Sequence, residues 1–471
     1  ASPIRARHHR RISASGSLPV RCLKILSEGD FSFALGFSPF VAWQETGISV
    51  AMNCRFLLVC VLSMIDVLAA FAQQTAKDFD RSGLAKQRNG DYQGAIADYS
   101  RAIELNPKYA IAYKDRASAK GLAGDDEGAL ADCNKAIELN PRYALAYANR
   151  GGAKGEEGDL DGGEADCNRA LELDPNCALA YDNRGTIKSR KDDLDGAIAD
   201  YDQAIKLSPK NAFTYNNRGA VKESKGEYHD AIVDFNEAIQ LDPKFAIAYV
   251  NRAGATMRKG NYDDAVADCN RAIELDPKKA AAYLRRGWIK TLEGDFGGAA
   301  HDYNEAIVLP SKLSSLLFDN RALIKELQKD YRGALDDLNR SDLLAKDPKE
   351  HDYARLRIWV LQTHQGQTAE ADQHLSDYLK TRSDGGSQDF PFRVGEFLLG
   401  RVPESELIAS AVSANSKQDQ ELRCRAWYYA GIKRQFAGEQ KMAAEYFGKC
   451  IATNGIEFDE YVLAKRLQSQ Q

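Results

Sequence analysis

Six prolines, Pro107, Pro141, Pro175, Pro209, Pro243 and Pro277, stand 34 residues apart, and each closes an Ala-Ile/Leu-x-Leu-x-Pro segment. No other feature of the chain constrains its fold as strongly. A unit of this size cannot bury an apolar core alone, so units repeated at a fixed period must stack and cover one another. The length of 471 residues would otherwise suggest two to four domains, but a stacked array is one long domain of any length.

With the proline at position 32, units begin at Ala76, Ala110, Ala144, Ala178, Ala212, Ala246 and Ala280. Position 4 is tyrosine from Tyr113 to Tyr283. Positions 8, 20 and 27 are small, as in Gly185, Ala197 and Ala204. Position 24 is Tyr99, Cys133, Cys167, Tyr201, Phe235, Cys269 or Tyr303. Small residues let two helices approach closely, and bulky ones fill the grooves beside them. Glycines at position 15, such as Gly124 and Gly158, suit the left-handed residue that ends a first helix. The proline ends the second.

This grammar resembles the tetratricopeptide repeat, a helix–turn–helix unit. The resemblance implies an all-α fold, a right-handed superhelix of stacked antiparallel helix pairs whose concave groove binds peptides. Eight tandem repeats span 76–348, the eighth (Ser315–Pro348) shifted by one residue. Residues 349–414 read as a divergent helical segment, with a joint at Ser383-Asp384-Gly385-Gly386-Ser387. Residues 415–471 read as a further repeat and a capping helix over Phe458–Leu467.

Two positions depart from the family pattern. Position 7, usually leucine, is arginine (Arg150, Arg184, Arg218, Arg252), and position 11, usually tyrosine, is lysine in most repeats. Like charges four residues apart disfavour a helix by roughly 0.2–0.5 kcal/mol. The aspartate recurring at position 23 (Asp166, Asp200, Asp234, Asp268) is the expected counter-charge. It predicts a partly buried ladder that sets register between neighbouring repeats. The alternative is a basic stripe that holds an acidic ligand. Position 6 carries Asn149, Asn183, Asn217, Asn251 and Asn320. The resemblance places position 6 in the groove, where an amide can both donate to and accept from a peptide backbone. The alternative is a merely solvated inner face. The two-carboxylate clamp of chaperone-binding relatives is missing. Lys114 would start it, but Ser118 and Leu179 stand where asparagine and lysine are needed.

Met52–Ala72 (52–72) reads as a secretory signal peptide: Arg55, an apolar run from Phe56, and Ala70-Phe71-Ala72 before a cut at Gln73. Residues 1–51 then read as an over-extended start, disordered in the protein. The expected location is periplasmic or secreted, with the cytoplasm as alternative if the peptide is retained. The run is too short to span a membrane. The segments Phe397-Leu398-Leu399-Gly400, Trp427-Tyr428-Tyr429-Ala430-Gly431 and Glu457-Phe458-Asp459-Glu460-Tyr461 resemble the tail of bacterial envelope tetratricopeptide lipoproteins. That likeness implies an adaptor for a periplasmic protease or cell-wall hydrolase. The chain lacks the lipobox.

No catalytic, metal-binding or cofactor-binding motif is visible, and the net charge of −5 argues against a nucleic-acid binder. Cys133, Cys167 and Cys269 take core positions, and Cys177, at a loop end, reads as the exposed thiol. In an oxidising compartment Cys424 and Cys450, at positions 1 and 27 of one repeat, would be placed for a disulfide. The sum of these readings is a non-catalytic scaffold or adaptor for peptide or protein segments, in the bacterial envelope. Its alternatives are an intracellular scaffold and an accessory subunit of an envelope enzyme.

Overall fold

The computed structural model describes residues 54–311, 313–383, 389–413 and 416–469. The reading of residues 1–51, the first two residues of the signal segment and most of the glycine-rich joint lie outside the described residues. Among the described residues there are 23 helices and no strand. The chain divides into two units, residues 1–69 and 70–471. The described residues of the first belong to the helix Cys54–Arg88. No described helix is long and apolar enough to cross a membrane.

The second unit is an α-solenoid of antiparallel hairpins. In each repeat the first helix is here called A and the second B. The A helices after the first repeat are Ala110–Leu122, Ala144–Glu157, Ala178–Arg190, Ala212–Ser224, Ala246–Arg258, Ala280–Glu293 and Ser314–Leu327. The B helices run from Tyr92–Leu105 to Tyr331–Leu344. Two devices close each hairpin. The residue at position 15 takes a left-handed conformation, with φ of 79° to 95° at the glycines Gly90 to Gly294 and 65° where Asp192 and Lys329 replace them. The next residue then caps helix B. The Asp125, Asp159 and Asp193 carboxylates accept from the amides of Gly128, Gly162 and Gly196 at 2.9–3.0 Å. A Cβ on those glycines would stand 2.1–2.2 Å from the carboxylate. The cap is absent where position 19 is Asp230 or Asp264.

The helices of a hairpin meet where residue 24 lies on residue 8. A Cβ on Gly83, Gly219 or Gly287 would come within 2.7–2.8 Å of the ring of Tyr99, Phe235 or Tyr303. Where position 8 is Ala117 or Ala253, position 24 shrinks to Cys133 or Cys269, all four buried. Gly151 faces Cys167, and Ile187 of the next repeat fills the space left, its side chain 3.0 Å from where Cβ atoms on Gly155 and Gly163 would stand. The sizes at 8 and 24 are therefore matched across most hairpins, and in the Gly151 hairpin a side chain of the next repeat makes up the difference, as close packing requires.

Cores change character along the stack. Up to Val250 they are small separate clusters between neighbours, such as Ala95, Tyr99 and Ala119. From Ala253 to Ala464 one large core runs through the last repeats, the helices Pro348–His364, Thr368–Ser383 and Phe390–Leu398, and the C-terminal helices Ser416–Phe436, Gln440–Ala452 and Asp459–Gln468, with a smaller cluster of Ala322, Ala334, Leu338, Ile358 and Leu361 beside it. The divergent segment thus shares the core of its neighbours.

Gly219→Ala should lower stability by about 1–3 kcal/mol by overpacking. Combined with Phe235→Cys it should cost less than the two single changes added together. Urea unfolding of the four proteins in that cycle checks this, and additive losses would refute the size matching.

Candidate functional site

Each position-7 arginine makes a two-pronged bond with the position-23 aspartate of its own repeat, 16 residues on. Nη2 donates to Oδ1 at 2.5–2.6 Å in the pairs Arg116–Asp132, Arg150–Asp166, Arg184–Asp200, Arg218–Asp234, Arg252–Asp268, Arg286–Asp302 and Arg321–Asp337. Nε donates to Oδ2 at 2.7–3.0 Å. The position-11 lysine reaches the same Oδ2: Lys154 and Lys188 lie 2.9 and 2.8 Å from Asp166 and Asp200. One buried carboxylate thereby answers both cations of helix A. Thr256 replaces the lysine beside Asp268, which is paired through Arg252.

The link to the neighbouring repeat comes from a residue not singled out in the sequence. The remaining arginine nitrogen, Nη1, donates to position 25 of the preceding B helix: Arg150 to Asn134, Arg184 to Asn168, Arg218 to Asp202, Arg252 to Asn236, at 2.5–2.8 Å. Each guanidinium also lies 5.3–5.6 Å from the position-4 ring of its own helix, for example Tyr147 and Tyr181. Asparagine recurs at position 25 in most of the repeats, with Asp202 in its place once, and that period was the available signal. Burial opposes ionisation of Asp166, but the hydrogen bonds from Arg150 and Lys154 outweigh it and hold the carboxyl below its usual range. Asp337 is held low in the same way by Arg321 and Lys325.

The position-6 asparagines are not free groove amides. Asn149 and Asn183 donate to the position-5 carbonyls of the preceding A helix, Lys114 and Ala148, at 3.3 and 2.9 Å. Asn251 donates to the Asn216 side chain at 2.9 Å, and Asn217 accepts from Asn216 at 3.5 Å. Asn320 is buried and donates to the Leu316 carbonyl within its own helix. Small neighbours make room for these bonds: a Cβ on Gly152 would meet Asn183 at 2.8 Å. Asn251 and Asn320 also line a cavity of about 470 Å³ on the A-helix face. Its wall includes Ile247 and Val250, Ala281 and Leu284, Trp288 and Leu316, with Glu223, Arg285 and Glu457 as charges. Positions 2, 5, 6 and 9 of consecutive A helices therefore share one hollow surface.

Further along this face the chain seats its own segment. Trp288 Nε1 donates to the Ile456 carbonyl at 3.1 Å, and Arg258 pairs with Glu457. Ile456 and Phe458 are buried. Arg357 pairs with Asp459 at 2.5 Å and Glu326 at 3.1 Å, and Arg425 with Glu460 at 3.4 Å. Burial pushes the Asp459 carboxyl up to about 7 and Asp319 to about 6, with the nearby arginines opposing the shift. Cys424 and Cys450 are brought together, their Sγ atoms 3.1 Å apart, buried and present as free thiols. Cys177 is buried, contrary to the expectation of an exposed thiol. It precedes helix Ala178–Arg190 and packs among Ala144, Ala148, Ala170 and Ala180.

Sequence profiles described as tetratricopeptide repeat match residues 144–177, 212–245 and 257–312, and one described as TPR repeat matches 83–121 and 190–226. No curated protein matches the chain. Among solved structures, the chain is similar to a tetratricopeptide repeat protein from Parabacteroides merdae at 21% identity, covering 54% of this chain and 98% of that one, with a TM-score of 0.39. It is similar to MamA at 28% identity, covering 35% and 96%, with a TM-score of 0.30. It is similar to YrrB, described as a TPR protein with an unusual peptide-binding site, at 23% identity, covering 39% and 95%, with a TM-score of 0.29.

Two outcomes test the electrostatics. Asp200→Leu leaves Arg184 and Lys188 facing each other and should cost on the order of 3 kcal/mol in thermal melts. Exchanging the pair (Arg184→Asp with Asp200→Arg) should recover part of that loss, whereas Arg184→Lys should not match wild type because it lacks the fork. The pH dependence has two signs. The depressed Asp166 and Asp337 contribute stability that is present above about pH 4 and lost as pH falls. The raised Asp319 and Asp459 do the reverse: from about pH 4 to 7 the unfolded chain releases their protons first, so docking of helix Asp459–Gln468 weakens as pH rises. Amide exchange at Val462, Leu463 and Ala464, corrected for intrinsic rates, should show less protection at about pH 8 than at about pH 5.

Period, hairpin geometry and profile matches agree: the chain is a tetratricopeptide repeat protein.

Proposed function

We propose that this chain is a non-catalytic adaptor that binds peptide or protein segments on the A-helix face, and that it works in the bacterial cell envelope. Tetratricopeptide repeats are generally protein-interaction scaffolds, so a protein partner is the expectation for this one. The observation that carries the binding reading is the hollow lined by Ile247, Leu284, Trp288 and Asn251. It joins apolar surface to a few polar groups, the combination that recognises side chains and backbone together. Trp288 already accommodates a backbone carbonyl there. The envelope reading is supported by the Met52–Ala72 pattern and by the C-terminal segments that resemble envelope adaptors.

A photoreactive residue in place of Leu284, used in living cells, should trap one defined protein. The same residue in place of Arg169, exposed on a B helix, should not. The trapped adduct should fractionate with the envelope, its chain beginning at Gln73. Equal or absent capture at Leu284 overturns the groove reading, and a chain that retains Met52 in the cytoplasm overturns the export reading.

A further inference from the structure

The B helices turn one stripe to solvent, positions 22, 26 and 29, whose spacing is that of a single helix face. In the first six repeats the stripe follows one rule. Position 22 is alanine or valine, from Ala97 to Ala267, and position 29 is glutamate, lysine or glutamine, from Glu104 to Glu274. In four of the six, positions 26 and 29 form an ion pair at 2.5–2.8 Å, as in Arg101–Glu104 and Arg271–Glu274. The seventh and eighth repeats reverse the rule. Position 22 becomes His301 and Asp336, and position 29 becomes Val308 and Leu343. Val308 is 78% and Leu343 83% exposed, the two highest values for a large apolar side chain among the described residues. Val308, the C-cap of its helix, keeps near-helical backbone angles, φ −79° and ψ −11°, and so stays in line with the stripe. In the next hairpin the ion pair returns as Asp377–Lys380.

Isolated exposed apolar groups need no explanation. These two share one position on neighbouring helices, which Arg321 ties side by side through Asn304 of one and Asp337 of the other. The charges beside them select what covers the patch. Position 26 is Glu305 in one helix and Arg340 in the other, both exposed. Neither has an ion-pair partner among the described residues, and Arg340 lies 5.8 Å from the Phe318 ring. The two stripes therefore read His301, Glu305, Val308 and Asp336, Arg340, Leu343, all six exposed. Level by level, one complements the other: imidazole N–H with carboxylate, carboxylate with guanidinium, apolar with apolar. A surface that is its own complement is what a two-fold interface requires, and a different protein would have no need of that internal match. Helix Ser314–Leu327 lies between the two B helices in sequence and runs antiparallel to both, so they point the same way. A two-fold axis between them, along their length, lays each stripe of one copy on the other stripe of the second copy.

We propose that a second copy of this chain covers the patch, with Val308 packed on Leu343 and Glu305 paired with Arg340 across a two-fold axis. Every contact is then made twice. The pairing uses the B-helix face alone and leaves the A-helix hollow of both copies open, so the assembly carries two hollows in place of one. It does not rest on the groove reading.

Sedimentation equilibrium of the full chain tests this. At about 100 μM the mass should be twice that of one chain, and it should fall toward one on dilution to about 1 μM, the behaviour of an interface of modest area. Leu343→Glu restores the charge of the other repeats and gives Arg340 a partner within its own helix. It should raise the dissociation constant at least about tenfold, with an unchanged helical spectrum and melting curve. Glu305→Arg should weaken the pair as well, and adding Arg340→Glu should recover most of that loss, because the ion pair is then exchanged rather than removed. Leu207→Glu, exposed on an earlier B helix, should leave the mass unchanged. A single-chain mass at every concentration, assemblies larger than two, an unaffected Leu343→Glu, or a charge reversal without recovery overturns the two-fold interface. Should Leu343→Glu melt early, Val308→Gln is read against the same criteria.

Discussion

The stack depends on a carboxylate taken out of water at position 23 of seven successive hairpins, Asp132 to Asp337. A buried anion is tolerated only with compensating charge and hydrogen bonds. Here it receives two prongs from the arginine of the facing helix and, in most repeats, a lysine one turn on. The guanidinium supplies what an ammonium cannot, because its planar fork saturates both carboxylate oxygens and still leaves a nitrogen for the preceding hairpin. Three helices are thereby tied through a single side chain, as in Arg184 with Asp200 and Asn168. That accounts for arginine where the family usually places leucine. It also accounts for tolerance of like charges at positions 7 and 11, which share one counter-ion.

The helical hairpins were legible in the sequence because repetition multiplies a weak local signal. Gly124 or Ala129 alone would say little, but the same residue types recurring every 34 residues leave one architecture. The counter-charge was legible too, its address less so. Arg184 lies within reach in sequence of both Asp166 and Asp200, and only the antiparallel pairing of helices chooses the second. Asn168 was overlooked because an asparagine on an outer helix reads as ordinary solvated surface. Asn149 and Asn183 were read as facing a ligand, whereas the glycine and alanine between adjacent A helices draw them onto the neighbouring backbone. The contact of Trp288 with Ile456, 168 residues apart, has no periodic trace at all.

Matched sizes at positions 8 and 24 complete the account of the hairpin. A ring requires glycine opposite, and cysteine accepts alanine, so Gly219 with Phe235 and Ala253 with Cys269 solve one packing problem twice. The cysteines at position 24 need no chemistry to explain them. They are volume adjustments, and burial pushes their thiols up to about 12, away from reactivity.

The unequal cores give the molecule a direction. Through the early hairpins cohesion is a succession of small, nearest-neighbour contacts, each of which can let go without disturbing the next but one. After Ala253 one large apolar cluster reaches as far as Ala464 and ties the last repeats to the C-terminal helices, so few elements there can leave alone. Thermal agitation therefore peels the array from its early hairpins toward an anchored root, in steps rather than at once. A visitor bound along the early hairpins would act as a splint, and its grip would be felt as added rigidity in the part of the array that most readily comes apart.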